Sequence, residues 1–168
     1  LVIVAGSGNN GGDGYEIARI ARGARVEVEV FGVDAAAPRG DAAAARSAWL
    51  ADGGRIEPCP ERLPDCDWVI DAVFGTGLSR APSGASAAAI AAINASRDRG
   101  ARVLAVDVPS GLDASRGSTP GLCVRADVTA SFIGNKFGLW TGHGPDCAGL
   151  IKVAGLAPAT AARVPGGR

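Results

Sequence analysis

The sequence has few of the residues that usually bind zinc or form disulfides. Methionine is absent from the 168 residues, and histidine occurs once, at His143. The four cysteines form no C-x-x-C pair (Cys59, Cys66, Cys123 and Cys147), which argues against a zinc site built from closely spaced ligand pairs. An even cysteine count in a chain of this length is weak evidence for disulfides, and nothing at its start resembles a secretory signal. We therefore predict a cytoplasmic protein.

Net charge and long apolar runs are also missing. The 17 basic and 17 acidic side chains give a formal net charge of zero, so the chain has no general attraction to nucleic acid or to an anionic membrane. The apolar run Leu1–Ala5 is far shorter than the roughly 20 residues that cross a bilayer. We therefore expect neither nucleic acid nor a membrane as a partner.

Glycine is the residue that the sequence has in excess. The chain contains 25 Gly and 10 Pro, nearly twice the roughly 12% that these residues usually make up together. Hydrophobic residues make up an ordinary 47%, so a sizeable core is available to a single domain. Glycine-rich chains of normal hydrophobicity have many tight loops, and such loops often bind ligands.

Short apolar runs alternate with helix-compatible stretches, which is typical of an α/β fold. We predict a Rossmann-like three-layer αβα sandwich with a mostly parallel sheet over residues 1–156, and a flexible tail or linker over 157–168. Ile56 is compatible with the start of a short strand, but the prolines that follow it predict a loop over Glu57–Asp65. The predicted strands are Leu1–Ala5, Arg25–Gly32, Trp68–Phe74, Arg102–Val108, Ala126–Ile133 and Leu150–Val153, and the predicted helices are Asp13–Arg22, Gly40–Asp52 and Ser83–Arg99. The last two strands are predicted to be joined without a helix.

The common strand order of such sheets, 3-2-1-4-5, would make the strands ending at Ala5, Phe74 and Val108 neighbours. The loops after these three strands would then meet in one crevice, at the point where the strand order reverses. Because the three most unusual loops of the sequence follow these strands, we place the functional site there.

The first of these loops, GSGNNGGDG, contains G-x-G-x-x-G at Gly6, Gly8 and Gly11. Alone, this pattern is a weak sign of an anion site at a helix N-terminus. A conventional dinucleotide oxidoreductase is disfavoured, because Phe31-Gly32 stands where the second strand should end in an acid, with Asp34 beyond it. Asp13 is either a helix N-cap or a ligand-binding residue. For Asn9-Asn10 we favour ligand contact over a purely structural turn.

The segments that form the other two loops each have an aspartate at or near the end of the preceding apolar strand. Asp71 lies inside the strand, so its carboxylate must pair, coordinate a cation or accept backbone amides, because leaving it alone would be costly. Asp107 lies at a strand end, a position that suits proton transfer in this architecture. Ser110 is not in a G-x-S-x-G elbow, and a Ser110–His143–Asp triad is disfavoured because His143 lies in a Gly/Pro turn.

Asn10, Asp71 and Ser110 would place three oxygen ligands at three neighbouring strand ends. Oxygen-only sites suit hard cations. Gly75-Thr76-Gly77 allows a phosphate or sugar to approach the backbone closely, and Arg80 is either a phosphate-neutralising residue or a solvated surface charge. Lys136 is predicted either to reach the rim of the same crevice or to be an ordinary surface lysine.

These motifs together resemble one family, the YjeF N-terminal domain, that is, the NAD(P)H-hydrate epimerases. The matching stretches follow the family's order from Leu1 to about Gly155: GSGNNGGDGYEIARIA, VIDAVFGTGLSR, VLAVDVPSGLDASRGSTPG and ADVTASFIGNKFGLWTG. The resemblance implies an isomerase that interconverts the R and S forms of hydrated NADH or NADPH, which are damaged cofactors with a hydroxyl at nicotinamide C6.

The resemblance also implies roles for individual residues. It makes Asp107 the catalytic acid and assigns potassium (K+) to Asn10, Asp71 and Ser110. The implied substrate-binding residues are Asn9, Asn10, Gly11, Gly12, Asp13, Gly75, Thr76, Gly77, Leu78, Ser79, Arg80, Ala81 and Asp107. Our mechanistic hypothesis is that the diphosphate lies across the glycine loops and the hydrated ring beside Asp107, while the potassium ion screens the carboxylates.

Partners follow from the same resemblance. An ATP- or ADP-dependent hydrate dehydratase, fused or separate, would consume the S form. Family members carry helical residues before the first strand, so we interpret the chain as a fragment without them; the family implies a homodimer or higher oligomer. The alternative function is a non-catalytic YjeF-type scaffold that dimerises and binds RNA or proteins, which the acidic site residues and zero net charge disfavour.

Overall fold

Within residues 1–33, 36–78 and 80–155, which the computed structural model describes, seven parallel strands form one sheet in the order β3-β2-β1-β4-β5-β6-β7. The strands are β1 Val2–Ala5, β2 Glu29–Gly32, β3 Glu57–Pro58, β4 Trp68–Ala72, β5 Arg102–Val106, β6 Val128–Phe132 and β7 Leu150–Ala154. The helices are α1 Asn9–Gly23, α2 Gly40–Ala51, α3 Ala85–Asp98 and α4 Gly144–Ala148, with a 3-10 turn at Phe137–Leu139.

Helices cover both faces of the central strands, and side-chain alternation along β1 shows why. Val2 and Val4 belong to an apolar cluster with Ile90 and Ile93 of α3, whereas Ile3 belongs to the cluster that contains residues of α1 and α2. Burying each such aliphatic side chain contributes about 1.5–3 kcal/mol. A strand with apolar residues on both faces needs a layer on each side, so the predicted three-layer αβα sandwich is confirmed.

Helix α1 begins earlier than the sequence predicted. Its first residue is Asn9 and its N-cap is Gly8, which has no side chain to cap the helix. The second half of the glycine-rich loop is therefore the first turn of the helix. The N-cap interpretation of Asp13 is wrong, because Asp13 is the fifth residue of α1.

Three further differences concern short elements. Strand β2 begins at Glu29 rather than Arg25, because residues 24–26 close the end of α1: the Val26 N–H donates to the Ala21 carbonyl and Arg25 has φ +63°. Strand β3 takes two residues of the predicted loop Glu57–Asp65. Helix α4 precedes β7, where the sequence indicated no helix, and Pro145 lies in its first turn.

The strand order confirms the predicted 3-2-1-4-5 core, with β6 and β7 added at one side. The order reverses between β1 and β4, so the loops after these strands open a crevice at the carboxyl edge of the sheet. The two loops touch there, since a Cβ atom on Gly6 would lie 2.2 Å from the Val73 carbonyl oxygen. Only glycine permits this approach.

None of the helices in the described part of the chain is long and apolar enough to cross a bilayer. The predicted tail, 157–168, lies outside the described residues.

Candidate active site

A cavity of about 980 Å³ opens at the carboxyl edge of the sheet, a volume at the upper end of the range for small-molecule sites. Its walls come from the segments that follow β1, β4, β5 and β6. The lining residues are 7–10, Asp13, 73–77, Asp107 and 132–136.

The wall after β1 is the N-terminus of a 15-residue helix. The first backbone N–H groups of a helix have no intrahelical acceptor, and here the N-cap residue, Gly8, offers no side-chain oxygen. Asn10 is only 7% exposed, and its Nδ2 has no hydrogen-bond partner among the described residues. This wall therefore includes the N-terminus of a helix whose N-cap residue makes no side-chain hydrogen bond, which favours an anionic ligand group.

Asp107 has a backbone conformation that aspartate adopts uncommonly. Its φ is +67°, a left-handed value that costs a non-glycine residue about 1–2 kcal/mol. The Asp107 N–H donates to the Ala130 carbonyl at 2.8 Å, so pairing with β6 holds the residue there. Strain of this kind is concentrated at functional sites.

The two oxygens of Asp107 have different surroundings. Oδ1 accepts from Lys136 Nζ at 2.5 Å and from the Phe132 N–H at 3.3 Å. Oδ2 lies 3.4 Å from the place where a Cβ atom on Gly75 would be, and Asn10 Oδ1 lies equally close to that place. The absence of a side chain at Gly75 therefore leaves room between Asn10 and Asp107.

Asp71 and Ser110 form a fully buried pair behind this cavity. The Ser110 hydroxyl donates to Asp71 Oδ1 at 2.6 Å, and the Ser110 N–H donates to Oδ2 at 2.8 Å. The Val73 N–H also donates to Oδ1, at 3.3 Å. Burial raises the pKa of Asp71 to about 6, against these hydrogen bonds, which lower it. Both oxygens are engaged, so this carboxylate ties β4 to the loop after β5.

Asp13 lies on the cavity wall, where it is partly enclosed and partly accessible to solvent. Partial burial raises the pKa of Asp13 above its ordinary value, and the negative charge of Asp107 raises it further. The cavity thus contains two acids that influence each other and one lysine.

The remaining substrate-binding predictions fall into three groups. Gly11 and Gly12 are buried beneath the wall: a Cβ on Gly11 would lie 1.9 Å from the Gly6 carbonyl oxygen, and one on Gly12 would lie 2.9 Å from Ala42 Cα. Thr76 and Gly77 line the cavity together with Asn9, Asn10, Asp13, Gly75 and Asp107. Leu78, Arg80 and Ala81 are not among the described lining residues, and Ser79 lies outside the described part of the chain. Substrate binding by any of them stays a prediction.

Lys136 is the most informative residue that sequence reasoning left open. The surface-lysine alternative is wrong, because its side chain is only 18% exposed and pairs with Asp107. The rest of the wall after β6, 132–135, was not predicted. The sequence signal for this wall was the predicted strand Ala126–Ile133 itself. In the structure it lies beside β5, which brings the carboxyl ends of both strands to one edge of the sheet.

Metal-binding clusters of the usual kind are missing from the described residues, which contain no group of three or more His, Cys, Asp or Glu that could hold an ion. The predicted potassium ligands, Asn10, Asp71 and Ser110, include only one residue of those types. His143 is exposed, with its Nδ1 3.9 Å from an Asp146 oxygen, and is not among the described residues that line the cavity.

The fold and the cavity define the class: a doubly wound α/β protein with a ligand crevice at its topological switch point. The family model described as YjeF-related protein N-terminus matches residues 1–138. The chain belongs to this family.

Similar proteins agree with that assignment. The chain is 41% identical to the bifunctional NAD(P)H-hydrate repair enzyme Nnr of Escherichia coli, and the match covers 92% of this chain and 30% of that enzyme. It is also 41% identical to the NAD(P)H-hydrate epimerase of Limosilactobacillus fermentum, over 92% of this chain and 73% of the relative. A Leishmania major bifunctional NAD(P)H-hydrate repair enzyme is 43% identical over 92% of this chain and 28% of its own length.

A crystal structure of the yeast protein ynu0 has the same fold, with a TM-score of 0.68 at 20% sequence identity. The similarity covers 82% of this chain and 59% of the yeast chain.

Proposed function

We propose that this chain is an NAD(P)H-hydrate epimerase, which interconverts the R and S forms of hydrated NADH and NADPH. The observation that carries the proposal is Asp107, whose Oδ2 faces the cavity while Oδ1 is held by other groups. The proposal is supported by a relative of 41% identity that is named NAD(P)H-hydrate epimerase and is covered over 73% of its length.

The reaction needs a group that gives and takes back one proton beside C6 of the hydrated ring. In one route the C6–O bond breaks, the proton leaves with the hydroxyl as water, and water then adds to the other face. In the other route the C6–N1 bond breaks and the ring closes again on the other face. A carboxyl group that is within reach of the ring and protected from bulk water can serve either route, and Asp107 is 15% exposed.

The charged part of the substrate would bind at the start of α1. The uncapped helix N-terminus offers backbone N–H groups to the diphosphate, and Gly75 and Gly77 let a ligand approach the opposite wall closely. Among the described residues, Asp13 is the cavity-lining acid without an ion-pair partner, because Asp107 pairs with Lys136.

Potassium fits the chemistry of Asn10, Asp71 and Ser110, which would hold it. The buried Asp71 carboxylate accepts only from neutral groups among the described residues, namely Ser110 and Val73. Its negative charge is therefore uncompensated, which is costly at full burial. The buried Asn10 amide has an unpartnered nitrogen, and turning that amide over would offer an oxygen in its place. The ion would supply positive charge next to Asp71.

The partner reaction would be a hydrate dehydratase that consumes one epimer. Names of two relatives call them bifunctional repair enzymes, and this chain spans less than a third of each. We therefore propose that the activity works beside a dehydratase, in the same polypeptide or separately, within a homodimer or higher oligomer in the cytoplasm.

The direct test is the rate at which the purified R form of hydrated NADH is converted to the S form. Proton NMR or chiral chromatography would monitor the conversion. The wild-type chain should accelerate the conversion over the spontaneous rate, and Asp107→Asn should lose about 100-fold or more, the usual contribution of a proton-transfer group. Asp146→Asn, an equivalent change at a side chain that is 81% exposed, should keep the full rate.

Circular dichroism of both variants would verify folding. A folded Asp107→Asn variant with near-normal turnover would remove Asp107 from this role. A folded wild-type chain without any acceleration would instead favour the scaffold function.

A further inference from the structure

The turn after β6 brings Lys136 back over the end of its own strand. Ile133 has φ +69°, and the Gly134 N–H donates to the Phe132 carbonyl at 2.8 Å. The Ser131 hydroxyl also reaches the Gly134 carbonyl, at 3.3 Å. These hydrogen bonds fix the conformation of the turn. The turn then determines the position of the Lys136 backbone, and so the direction from which its side chain approaches Asp107.

Two anchors hold the Lys136 ammonium group. It donates to Asp107 Oδ1 and to the Phe132 carbonyl oxygen, each at 2.5 Å. The side chains of the ion pair are 18% and 15% exposed, so water screens the interaction far less than it would at the surface. Removing either partner of such a pair leaves a poorly hydrated charge behind.

These interactions hold only one of the two Asp107 carboxylate oxygens, Oδ1. Phe132 takes part twice, because its N–H donates to the same Oδ1 that accepts from Lys136. Oδ2, by contrast, accepts no hydrogen bond from the described residues and lies beside Gly75. In Asp71, which does not line the cavity, both oxygens are engaged. Asp107 therefore keeps one oxygen that accepts no hydrogen bond from the described residues, whereas both oxygens of Asp71 accept hydrogen bonds.

We propose that Lys136 is a positioning residue for the proton transfer: it holds Asp107 through Oδ1, so that Oδ2 is the oxygen that gives and takes back the proton. Lys136 itself neither gains nor loses a proton in this step, and Oδ2 carries the same number of protons after a turnover as before it. The inference rests on the proposed function, which makes Asp107 the proton-transfer group.

A role in orientation has a different kinetic signature from a role in binding the substrate. An interaction that matters only at the reacting centre lowers kcat and leaves KM nearly unchanged, whereas a lost contact to the diphosphate raises KM. We therefore expect Lys136→Gln to lower kcat by about 10–100-fold with KM within about threefold of the wild type. Lys136→Arg, which keeps the charge, should recover part of kcat.

The second lysine of the chain, Lys152, provides the matched control. It is exposed on β7, so Lys152→Gln should leave both kinetic constants unchanged.

Chemical rescue separates positioning from a purely structural role. In Lys136→Ala, added propylammonium can occupy the vacated space and restore a cation next to Oδ1, so kcat should rise with its concentration. Tetramethylammonium, which has no N–H to donate, should not restore it. A general loss of structure would not respond to either ion.

A double substitution tests whether Lys136 acts through Asp107. Adding Lys136→Gln to Asp107→Asn should lower kcat no further, because residues that act as one unit are not additive. Full kcat in Lys136→Gln, or a raised KM at normal kcat, would overturn the positioning role while leaving the epimerase function standing. No acceleration by the wild type would overturn both.

Discussion

Two aspartates on neighbouring strands of the sheet differ in how their carboxylate oxygens are hydrogen-bonded: Asp71 lies within β4, and Asp107 directly follows β5. Asp71 is completely buried, and Ser110 and Val73 occupy both of its oxygens. Asp107 has one oxygen tied to Lys136 and Phe132 and the other facing the cavity. A position beside an apolar strand therefore does not decide whether a carboxylate keeps an oxygen free of hydrogen bonds. The difference lies in how many of its lone pairs the protein already uses.

The interaction between Asp13 and Asp107 leads to a prediction about acidity. Because the charge of Asp107 disfavours the ionised form of Asp13, Asp107→Asn should lower the pKa of Asp13 towards its ordinary value. The pKa should stay raised in part, since burial is the larger cause. Carbon-13 NMR titration of labelled aspartate carboxyl groups would measure this, with Asp146→Asn as the control. An unchanged pKa of Asp13 would mean that the two carboxylates do not interact.

At this scale the sequence singled out the two aspartates but did not predict which groups contact their oxygens. Asp71 and Asp107 stand out in the sequence because each adjoins an apolar strand. The Lys136 pairing depends on the turn at Ile133–Gly134 and on two positive φ values. The sequence does not predict this turn or these φ values, because positive φ is expected at glycine and neither Asp107 nor Ile133 is a glycine.

Among the elements, α1 shows most clearly how packing overrides local propensity. Its first six residues include three glycines, each of which costs about 1 kcal/mol in a helix interior relative to alanine. That cost explains why the sequence placed the helix start at Asp13 instead of Asn9. The glycines are retained because a side chain at Gly11 or Gly12 would collide with Gly6 or Ala42.

A stability measurement tests this explanation of α1. Gly11→Ala should lower the free energy of unfolding by about 1–3 kcal/mol or more, because its Cβ would lie 1.9 Å from the Gly6 carbonyl oxygen. Gly23→Ala, at the other end of the same helix, has no atom within 4 Å of the added Cβ and should leave stability unchanged or slightly higher. Urea unfolding of both variants would provide the comparison, and equal stabilities would contradict the packing explanation.

The longer elements were predictable because their signal is repeated over many residues. Buried strands such as β1, β4 and β5 appear as apolar runs, and α3 has Ile90 and Ile93 on one face. Helix α4 has five residues, too few for a period to be visible. Strand β3 has only two residues. It is a strand because it pairs with Phe31-Gly32 of β2, not because of its own composition.

For the molecule as a whole, the predicted family and fold are confirmed, whereas potassium binding stays a prediction. If the ion binds the folded chain at Asn10, Asp71 and Ser110, it should stabilise that chain by mass action. At roughly twenty times its dissociation constant this amounts to about 2 kcal/mol, or about 5 °C in Tm for a domain of this size. Thermal unfolding in KCl and in choline chloride of equal ionic strength would measure it.

Asp71→Asn is the informative variant for this experiment. The amide would place a donor opposite a Ser110 group that also donates, so the variant should melt at a lower temperature in either salt. The diagnostic quantity is the increment caused by potassium, which should disappear. An increment that is equal in the wild type and in Asp71→Asn would assign the salt effect to another place.

The central position of β1 also has a consequence for the order of folding. β1 pairs with β2 on one side and with β4 on the other, in the register Val2↔Val69. At a synthesis rate of about 5–20 residues per second, the second partner follows several seconds after the first strand. Until then, the all-aliphatic segment Val2–Ala5 has an open edge and an uncovered face. We therefore expect this segment to be the one that most needs protection from aggregation while the chain is being made.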